Sequence, residues 1–325
     1  MNDIGFEVRT RPLRATDAVV ATNWMLDEWS LPSFLAVPIE SSIRGLIGEE
    51  RLRGGCIEQL ASDGRTWAIA AVGLSAFISD TEVARYLADP KPFPSLGLLE
   101  RALGGESTVF LAPDRIGRAN ADGGLNQLTI YYGQTVKDPG DPRCRALLPA
   151  SHKLHREVHG GYRMRSLLQD EWTANEQIFV YAGYKVLQRF APGTPCPLGI
   201  GPLTASRTLV GLTSNEAAGQ LPGTTASFLF EYRPPRLKLS AAERRLLTHA
   251  VAGLNDLDIC GILALSPNTL KATWRQIYAR FEARAPFVLR DVSARSEGPG
   301  RGGEKRRYVV AYVSEHLEEL RPYAG

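Results

Sequence analysis

The sequence has no long hydrophobic run. No apolar segment approaches the ~20 residues that cross a bilayer as a helix, and the first residues, MNDIGFEVRTRPL, lack the apolar core of a secretion signal. Internal repeats and low-complexity tracts are absent as well. With 44% hydrophobic and 22% charged residues, the composition is that of an ordinary globular chain. We therefore expect a cytoplasmic protein with no membrane partner.

Cysteine is scarce, and its positions are scattered. None of them forms a close pair at the spacing of a zinc site. They are Cys56, Cys144, Cys196 and Cys260. We interpret them as reduced packing residues, with a redox-sensing thiol as the alternative.

Histidine is also rare, yet three histidines lie close together. His152, His155 and His159 follow one another at spacings of three and four, which places them on one face of a helix. Such a face can bind zinc or haem iron. Lys153 and Arg156 lie among them, so a solvated basic face is the simpler interpretation. We predict no metal and no cofactor.

The chain has little net charge, only +3 at pH 7. The charge is uneven, however. From Arg236 onward there are 15 Lys/Arg and 10 Asp/Glu, a net +5, which leaves −2 for the preceding part. A basic end on a mildly acidic body fits contacts with phosphate made by that end.

The length of 325 residues allows two domains, since typical domains have about 100 to 200 residues. The clearest boundary is the segment EYRPPRL, where two adjacent prolines follow a strand-like run. A second one is the glycine-rich segment SARSEGPGRGG. We predict an N-terminal domain over 1–235, a helical domain over 236–292, and a loop with a last helix over 293–325.

The N-terminal part alternates strand and helix patterns. Trp67–Ile78 and Leu125–Tyr132 have the composition of strands, and Asp17–Trp29 has that of a helix. Tyr162–Asp170 is predicted as a helix and Ser227–Tyr232 as a strand. Mixed elements in this order predict one α/β domain with a largely antiparallel sheet.

The segment from Leu239 to Phe281 predicts helices separated by short turns. Ser240 with Glu243 forms a capping-box pattern, and Ser266 followed by Pro267 is typical of a helix start. The last helix of this segment places its apolar residues on one stripe. Its other side carries small, polar and basic residues, namely Asn268, Lys271, Ala272, Arg275 and Ala279.

This segment resembles the LuxR-type, or NarL-type, helix-turn-helix of bacterial transcription regulators. The resemblance covers Leu239–Phe281, with matches that include Glu243, Gly253, Ser266 and Ile277. It implies an all-α domain that binds double-stranded DNA in the major groove, and a homodimer on two half-sites. The implied DNA-binding residues are Asn268, Thr269, Lys271, Ala272, Arg275 and Arg280, with Lys271, Ala272 and Arg275 facing bases.

The N-terminal part resembles the GNAT acyltransferase fold at its two ends. VRTRPLRATDAV is similar to the first strand and helix of that family, and Phe179–Tyr184 is similar to its late Y-x-x-x-G-F turn. The resemblance places a pyrophosphate loop at Gly160–Leu168, although Met164 and Arg165 replace the small residues of that loop. A PAS-like or GAF-like sensor domain is the alternative architecture.

Aromatic residues of the N-terminal part are candidates for an apolar ligand pocket. We single out Trp24, Trp29, Trp67 and Tyr131, which a sensor domain would need to hold a small-molecule effector. The other interpretation is a plain hydrophobic core, since aromatic residues are ordinary core residues.

The sequence thus predicts a DNA-binding transcription regulator that is not an enzyme, whose N-terminal domain senses a ligand or pairs subunits. The alternative is a GNAT-like acyltransferase with a regulatory helical tail. A third interpretation is a scaffold whose terminal helices bind another protein.

Overall fold

The computed structural model describes residues 7–61, 63–106, 108–138, 140–221, 224, 226–295 and 301–324. Residues 1–6, at the start of the predicted N-terminal domain, and residues 296–300 of the glycine-rich segment lie outside the described residues. The chain divides into two compact units, Met1–Tyr232 and Arg233–Gly325.

The first unit contains a seven-stranded sheet in the order β1-β2-β3-β4-β5-β7-β6. Every neighbouring pair is antiparallel except β4 and β5, which run parallel. The strands are β1 Val8–Pro12, β2 Leu52–Leu60, β3 Trp67–Ile78, β4 Leu125–Gln134, β5 Met164–Trp172, β6 Lys185–Phe190 and β7 Arg207–Thr213. The predicted α/β class and largely antiparallel sheet are therefore confirmed for this unit.

Within the part of this unit that the structure describes, eight α-helices accompany these strands. They are α1 Ala18–Glu28, α2 Ala36–Gly48, α3 Asp80–Ala88, α4 Pro94–Leu103, α5 Pro113–Ala121, α6 Pro142–His159, α7 Glu176–Tyr181 and α8 Ser214–Ala218. The helices α3, α4 and α5 all lie between β3 and β4, so this connection is a long one.

The sheet is covered on both faces. Alternate residues of a strand point to opposite faces, so neighbouring residues of β5 join different hydrophobic clusters. Leu168 of β5 packs with Met25 of α1 and Leu96 of α4 in the largest hydrophobic cluster. Its neighbour Leu167 belongs to a second cluster that includes Ile116 of α5. Strands buried on both faces are nearly continuous apolar runs rather than alternating ones.

A close approach between β2 and β3 requires glycine. Gly54 has φ +151°, and a Cβ at that position would lie 1.9 Å from the carbonyl oxygen of Gly73. No L side chain fits such a contact. The glycine pair therefore lets the two strands pack backbone against backbone.

Two element predictions are wrong. The segment predicted as a helix over Tyr162–Asp170 is strand β5, which pairs with β4 on one side and β7 on the other. The segment predicted as a strand over Ser227–Tyr232 holds a short 3₁₀ turn at Ser227–Phe230. The first error also removes the predicted pyrophosphate loop, because Gly160–Leu168 leads directly into β5.

The second unit is helical. Its helices are α9 Ala241–Val251, α10 Asp256–Leu263, α11 Pro267–Arg284, α12 Pro286–Arg295 and α13 Arg301–Glu315. Leu246 of α9, Ile277 and Phe281 of α11 and Val309 of α13 share one buried cluster. The last helix therefore packs within the same unit as α9 and α11.

The capping box at the start of α9 forms as the sequence predicts. The Ser240 Oγ accepts a hydrogen bond from the Glu243 N–H at 3.3 Å, and Glu243 Oε2 accepts one from the Ser240 N–H at 2.6 Å. We expect Ser240→Ala to lower the free energy of unfolding of this unit by about 0.5 to 2 kcal/mol.

Thermal unfolding of the full chain, followed by circular dichroism, measures this loss. The matched control is Ser314→Ala in α13, whose exposed hydroxyl only donates to the Val310 carbonyl within its own helix. Equal effects of the two substitutions would show that the cap does not stabilise α9.

Within the described residues, none of the helices combines the length and the apolar character that crossing a membrane requires.

Candidate active site

The parallel strands β4 and β5 pair over only part of their length. Their register runs from Leu125 opposite Met164 to Leu128 opposite Leu168. Beyond that point, β4 continues to Gln134 paired with β3, and β5 continues to Trp172 paired with β7. Past this point the two described strands are no longer paired with each other, and we call the place between their unpaired backbone edges the cleft.

Aromatic rings form one wall of this cleft. Trp29 follows α1, and its ring centroid lies 5.4 Å from that of Tyr131 on β4 and 5.2 Å from that of Phe93. Phe93 in turn meets Trp172 at the end of β5, at 6.2 Å. Edge-to-face and tilted pairs at these distances are favourable. Elements far apart in the sequence thus meet at one place.

A buried ion pair lies behind the aromatic wall. Arg207 Nε of β7 donates to Asp170 Oδ2 of β5 at 2.9 Å, and the two side chains are only 2% and 5% exposed. The guanidinium carbon of Arg207 lies 4.1 Å from the ring centroid of Phe93 and 4.4 Å from that of Trp172. Cation–π contacts of this kind stabilise a charge that has lost its water.

The ion pair is incompletely satisfied. Asp170 Oδ1 and Arg207 Nη1 are buried and make no hydrogen bond with any described residue. Burial raises the pKa of Asp170 to about 6, against the opposing effect of Arg207. A buried polar atom without a hydrogen-bond partner lowers the free energy of unfolding, so this ion pair is a place where the fold is less stable than it could be.

Two further carboxylates lie near Tyr131. Glu28 Oε2 accepts hydrogen bonds from the Tyr131 hydroxyl at 3.2 Å and from Lys137 Nζ at 2.9 Å. Burial is the largest cause of the raised pKa of Tyr131. The negative charges of Glu28 and Glu171 raise it further. Burial also raises the pKa of Glu171 above its ordinary value. Glu171 is therefore a carboxyl group that is more basic than an exposed glutamate, as a general base requires.

Phe93 holds a strained backbone at this site. It has φ 55° and ψ 58°, the left-handed conformation that non-glycine residues seldom adopt. Its N–H donates to Asp170 Oδ2 at 2.8 Å, which fixes the start of α4 over the ion pair. Strain of this kind clusters at functional sites.

The predicted pocket residues separate into two places. Trp29 and Tyr131 contact each other at the cleft, and Trp24 is partly buried against the same cluster. Trp67 lies at the start of β3, where the guanidinium of Arg9 stacks on its ring at 4.2 Å. The structure therefore brings Trp29 and Tyr131 together and leaves Trp67 elsewhere.

The residues predicted to bind DNA lie along α11. Asn268, Thr269, Lys271, Ala272 and Arg275 are exposed. Arg280 is half-buried, and its guanidinium donates to Glu243 Oε1 and to the Lys238 carbonyl, both at 3.2 Å. It therefore serves contacts inside the second unit.

The histidines of α6 form no metal centre. His159 is buried, and its Nε2 lies 2.5 Å from Ser75 Oγ, while its Nδ1 lies 2.9 Å from the His155 carbonyl oxygen. Burial lowers the pKa of His155 to about 4. Among the described residues, no cluster of His, Cys, Asp and Glu is arranged to hold a metal ion.

Sequence reasoning missed Asp170, Glu171 and Arg207. The signal was a pair of adjacent acids, QDEW, ending an apolar run, which is unusual inside a core strand. A helix prediction for this run places the adjacent acids on a solvated face, where they do not indicate a site.

Comparison with known proteins gives acyltransferases. No protein-family model matches the chain, and no curated protein matches it either. Among solved structures, it is similar to NAA60 of Arabidopsis thaliana in complex with acetyl-CoA, at 9% identity and a TM-score of 0.40, covering 64% of this chain and 99% of that one. It is also similar to FeeM, an N-acyl amino acid synthase from uncultured soil microbes, at 9% identity and a TM-score of 0.38, covering 68% and 97%. A third is SpeG of Vibrio cholerae, a spermidine/spermine N-acetyltransferase, at 7% identity and a TM-score of 0.35, covering 65% and 96%.

These similarities agree with the GNAT-like architecture expected for the N-terminal part. The expectation that the protein is not an enzyme is contradicted, since the similar structures are acyltransferases, and these structures give no support to the interpretation as a DNA-binding transcription regulator. Nothing in the comparisons supports a LuxR-type domain over residues 236–292. The homodimer and the small-molecule effector stay predictions. Similarity at this level assigns no substrate and no residue role to this chain.

Proposed function

We propose that the first unit is an acyltransferase that moves an acyl group from a thioester to an amine in the cleft between β4 and β5. The observation that carries the proposal is the end of pairing between these parallel strands after Leu128 and Leu168, beside Glu171 and Tyr131. A thioester donor needs an extended binding edge, and the acceptor needs a base. Both requirements are met in one place.

The backbone edge of β4 supports binding of a pantetheine arm. From Thr129 to Gln134, this edge faces away from β3 and has no strand partner in β5. Pantetheine contains two amide groups, which can pair with backbone N–H and C=O groups as a short strand does. The donor thiol end would then lie near Tyr131 and Glu171.

The start of α6, unlike the edge of β4, does not fit its part of the donor, the diphosphate of coenzyme A. A diphosphate needs unoccupied backbone N–H groups at a helix start. At the start of α6, the N–H groups of Gly140 and Arg143 already donate to the carboxylates of Asp138 and Asp141. This segment does not fit a diphosphate, so no step of the reaction is assigned to that group.

The transfer itself follows from the groups at the cleft. Glu171 accepts a proton from the acceptor ammonium, and the neutral amine attacks the thioester carbon. A C–N bond forms and the C–S bond breaks. The leaving thiolate takes the second amine proton, so the products are an amide and a thiol. Tyr131, whose pKa is raised by burial, keeps its proton and donates a hydrogen bond to Glu28.

The acidic and aromatic lining supports a cationic amine as acceptor. The carboxylate of Glu171 attracts an ammonium, and the rings of Trp29 and Tyr131 add cation–π attraction. Arg207 does not neutralise Glu171, because its guanidinium is paired with Asp170.

A direct assay tests the proposal. The purified full chain would be incubated with acetyl thioesters and a panel of primary amines that includes a polyamine, an amino acid and a short peptide. Thiol release would be followed with a chromogenic disulfide, and the amide product by mass spectrometry. We expect amine-dependent thiol release with at least one acceptor. Thiol release without any amide product, or no release at all, would refute the proposed function.

A further inference from the structure

We infer that the cleft recognises its acyl donor through the pantetheine arm and acyl chain, and gains little from the adenosine diphosphate of coenzyme A. This inference rests on the proposed function. Its basis is the segment between β4 and α6, in which the chain's own carboxylates occupy the positions that phosphates would need.

The occupied donors are clearly defined. Asp138 Oδ1 accepts from the Gly140 N–H at 2.8 Å. Asp141 Oδ1 accepts from the Arg143 N–H at 2.8 Å, as the N-cap of α6. The Asp141 N–H donates to the Asp138 carbonyl at 3.0 Å, and Pro142, the first helical residue, has no N–H to offer.

The basic side chains of this segment are occupied as well. Arg143 pairs with Asp141 through Nη2 and Oδ2 at 2.7 Å, and this contact lowers the pKa of Asp141 below its ordinary value. Lys137 Nζ donates to Glu28 Oε2 at 2.9 Å. The carboxylates of Asp138 and Asp141 would therefore repel a phosphate, while Arg143 and Lys137 are each held by an acid.

The segment lies where the far end of a donor would reach. A pantetheine arm along the edge of β4 ends near Gln134, and Gln134 Nε2 donates to Cys144 Sγ in the first turn of α6 at 3.3 Å. The group beyond the pantetheine therefore meets the start of α6. In this chain, that place is already filled by two negative charges.

The experiment compares two probes and two variants. Binding of desulfo-coenzyme A and of desulfo-pantetheine to the full chain would be measured by calorimetry, together with the Michaelis constants of acetyl-coenzyme A and S-acetylpantetheine. We expect the two probes to bind within about threefold of each other, because a diphosphate held by charge-assisted hydrogen bonds would contribute tenfold or more. Adenosine 3′,5′-bisphosphate should not compete.

The variant Asp138→Ala/Asp141→Gly releases both N–H groups and removes two negative charges, while glycine is tolerated at an N-cap. We expect it to bind desulfo-coenzyme A at least about tenfold more tightly and desulfo-pantetheine unchanged. The control Asp138→Asn/Asp141→Asn keeps acceptor oxygens on both N–H groups and should gain less.

The outcomes separate the two proposals. A tenfold preference of the native chain for the coenzyme A probe, or no gain in the released variant, would overturn the donor inference even if transfer occurs. Binding of both probes within about threefold, without any amide product, would overturn the proposed function and would support only the part of the inference that concerns the diphosphate. Failure of both probes to bind would overturn both.

Discussion

Replacing Glu171 with glutamine should lower kcat/KM for acyl transfer by about 10² to 10⁴, because general-base catalysis contributes that much when a positioned group is removed. The amide of glutamine keeps the size of the side chain and its contact with the Trp172 N–H, which Glu171 Oε1 accepts at 2.8 Å. The loss would therefore report the missing basic carboxylate. Steady-state rates with saturating thioester and varied amine measure it.

The pH dependence gives an independent readout for Glu171. Burial raises its pKa, so the carboxyl becomes basic only at a higher pH than an exposed glutamate. We expect kcat/KM to rise with pH through this raised pKa, and the rise to be lost in Glu171→Gln. Glu176→Gln is the control, since Glu176 pairs with Arg189 at the surface and its pKa is lowered. An unchanged pH profile in Glu171→Gln would eliminate this residue as the base.

Replacing Arg207 with alanine should destabilise the first unit by about 3 to 5 kcal/mol, because it leaves the Asp170 carboxylate buried without its cation. Arg207 also packs between Phe93 and Trp172, so the substitution removes contacts on both sides. Urea unfolding followed by tryptophan fluorescence measures the loss, since Trp24, Trp29, Trp67 and Trp172 belong to this unit.

The effect of Arg207→Ala should depend on pH. The pKa of Asp170 is raised to about 6, above its ordinary value of 3.8. A raised carboxyl pKa favours folding below the unfolded value, and this contribution is lost as pH rises through the folded one. Arg207 lowers this pKa, so its removal raises the pKa further, and the variant should lose more stability at pH 8, where the native carboxyl is charged, than at pH 5. Arg189→Ala, which breaks the exposed pair with Glu176, is the control and should cost about 1 kcal/mol or less. Equal losses in both variants would contradict the argument.

The sequence predicts local features of this chain well. The strand Trp67–Ile78 and the capping box of Ser240 and Glu243 form as expected, because both depend on neighbouring residues. Gly253 takes a positive φ of 84° after α9, again a local requirement. These features need no information from distant parts of the chain.

The site could not be predicted in the same way. The contact between Phe93 and Asp170 joins positions 77 residues apart, and Arg207 meets Asp170 across 37 residues. The apolar run in Met164–Trp172 is compatible with a helix or a strand, and only pairing with β4 and β7 decides it. If that run is taken as a helix, the acids at its end lie on a solvated face, and the sequence shows no residue with which they would pair.

The backbone of Phe93 links two opposing energies. Detaching its N–H from Asp170 sacrifices a hydrogen bond to a charged group, worth about 1.5 to 3 kcal/mol. Leaving the left-handed region returns about 1 to 2 kcal/mol of steric strain. The two amounts oppose each other, and the hydrogen bond, together with the contacts of the Phe93 ring with Trp29 and Trp172, holds the left-handed conformation in place.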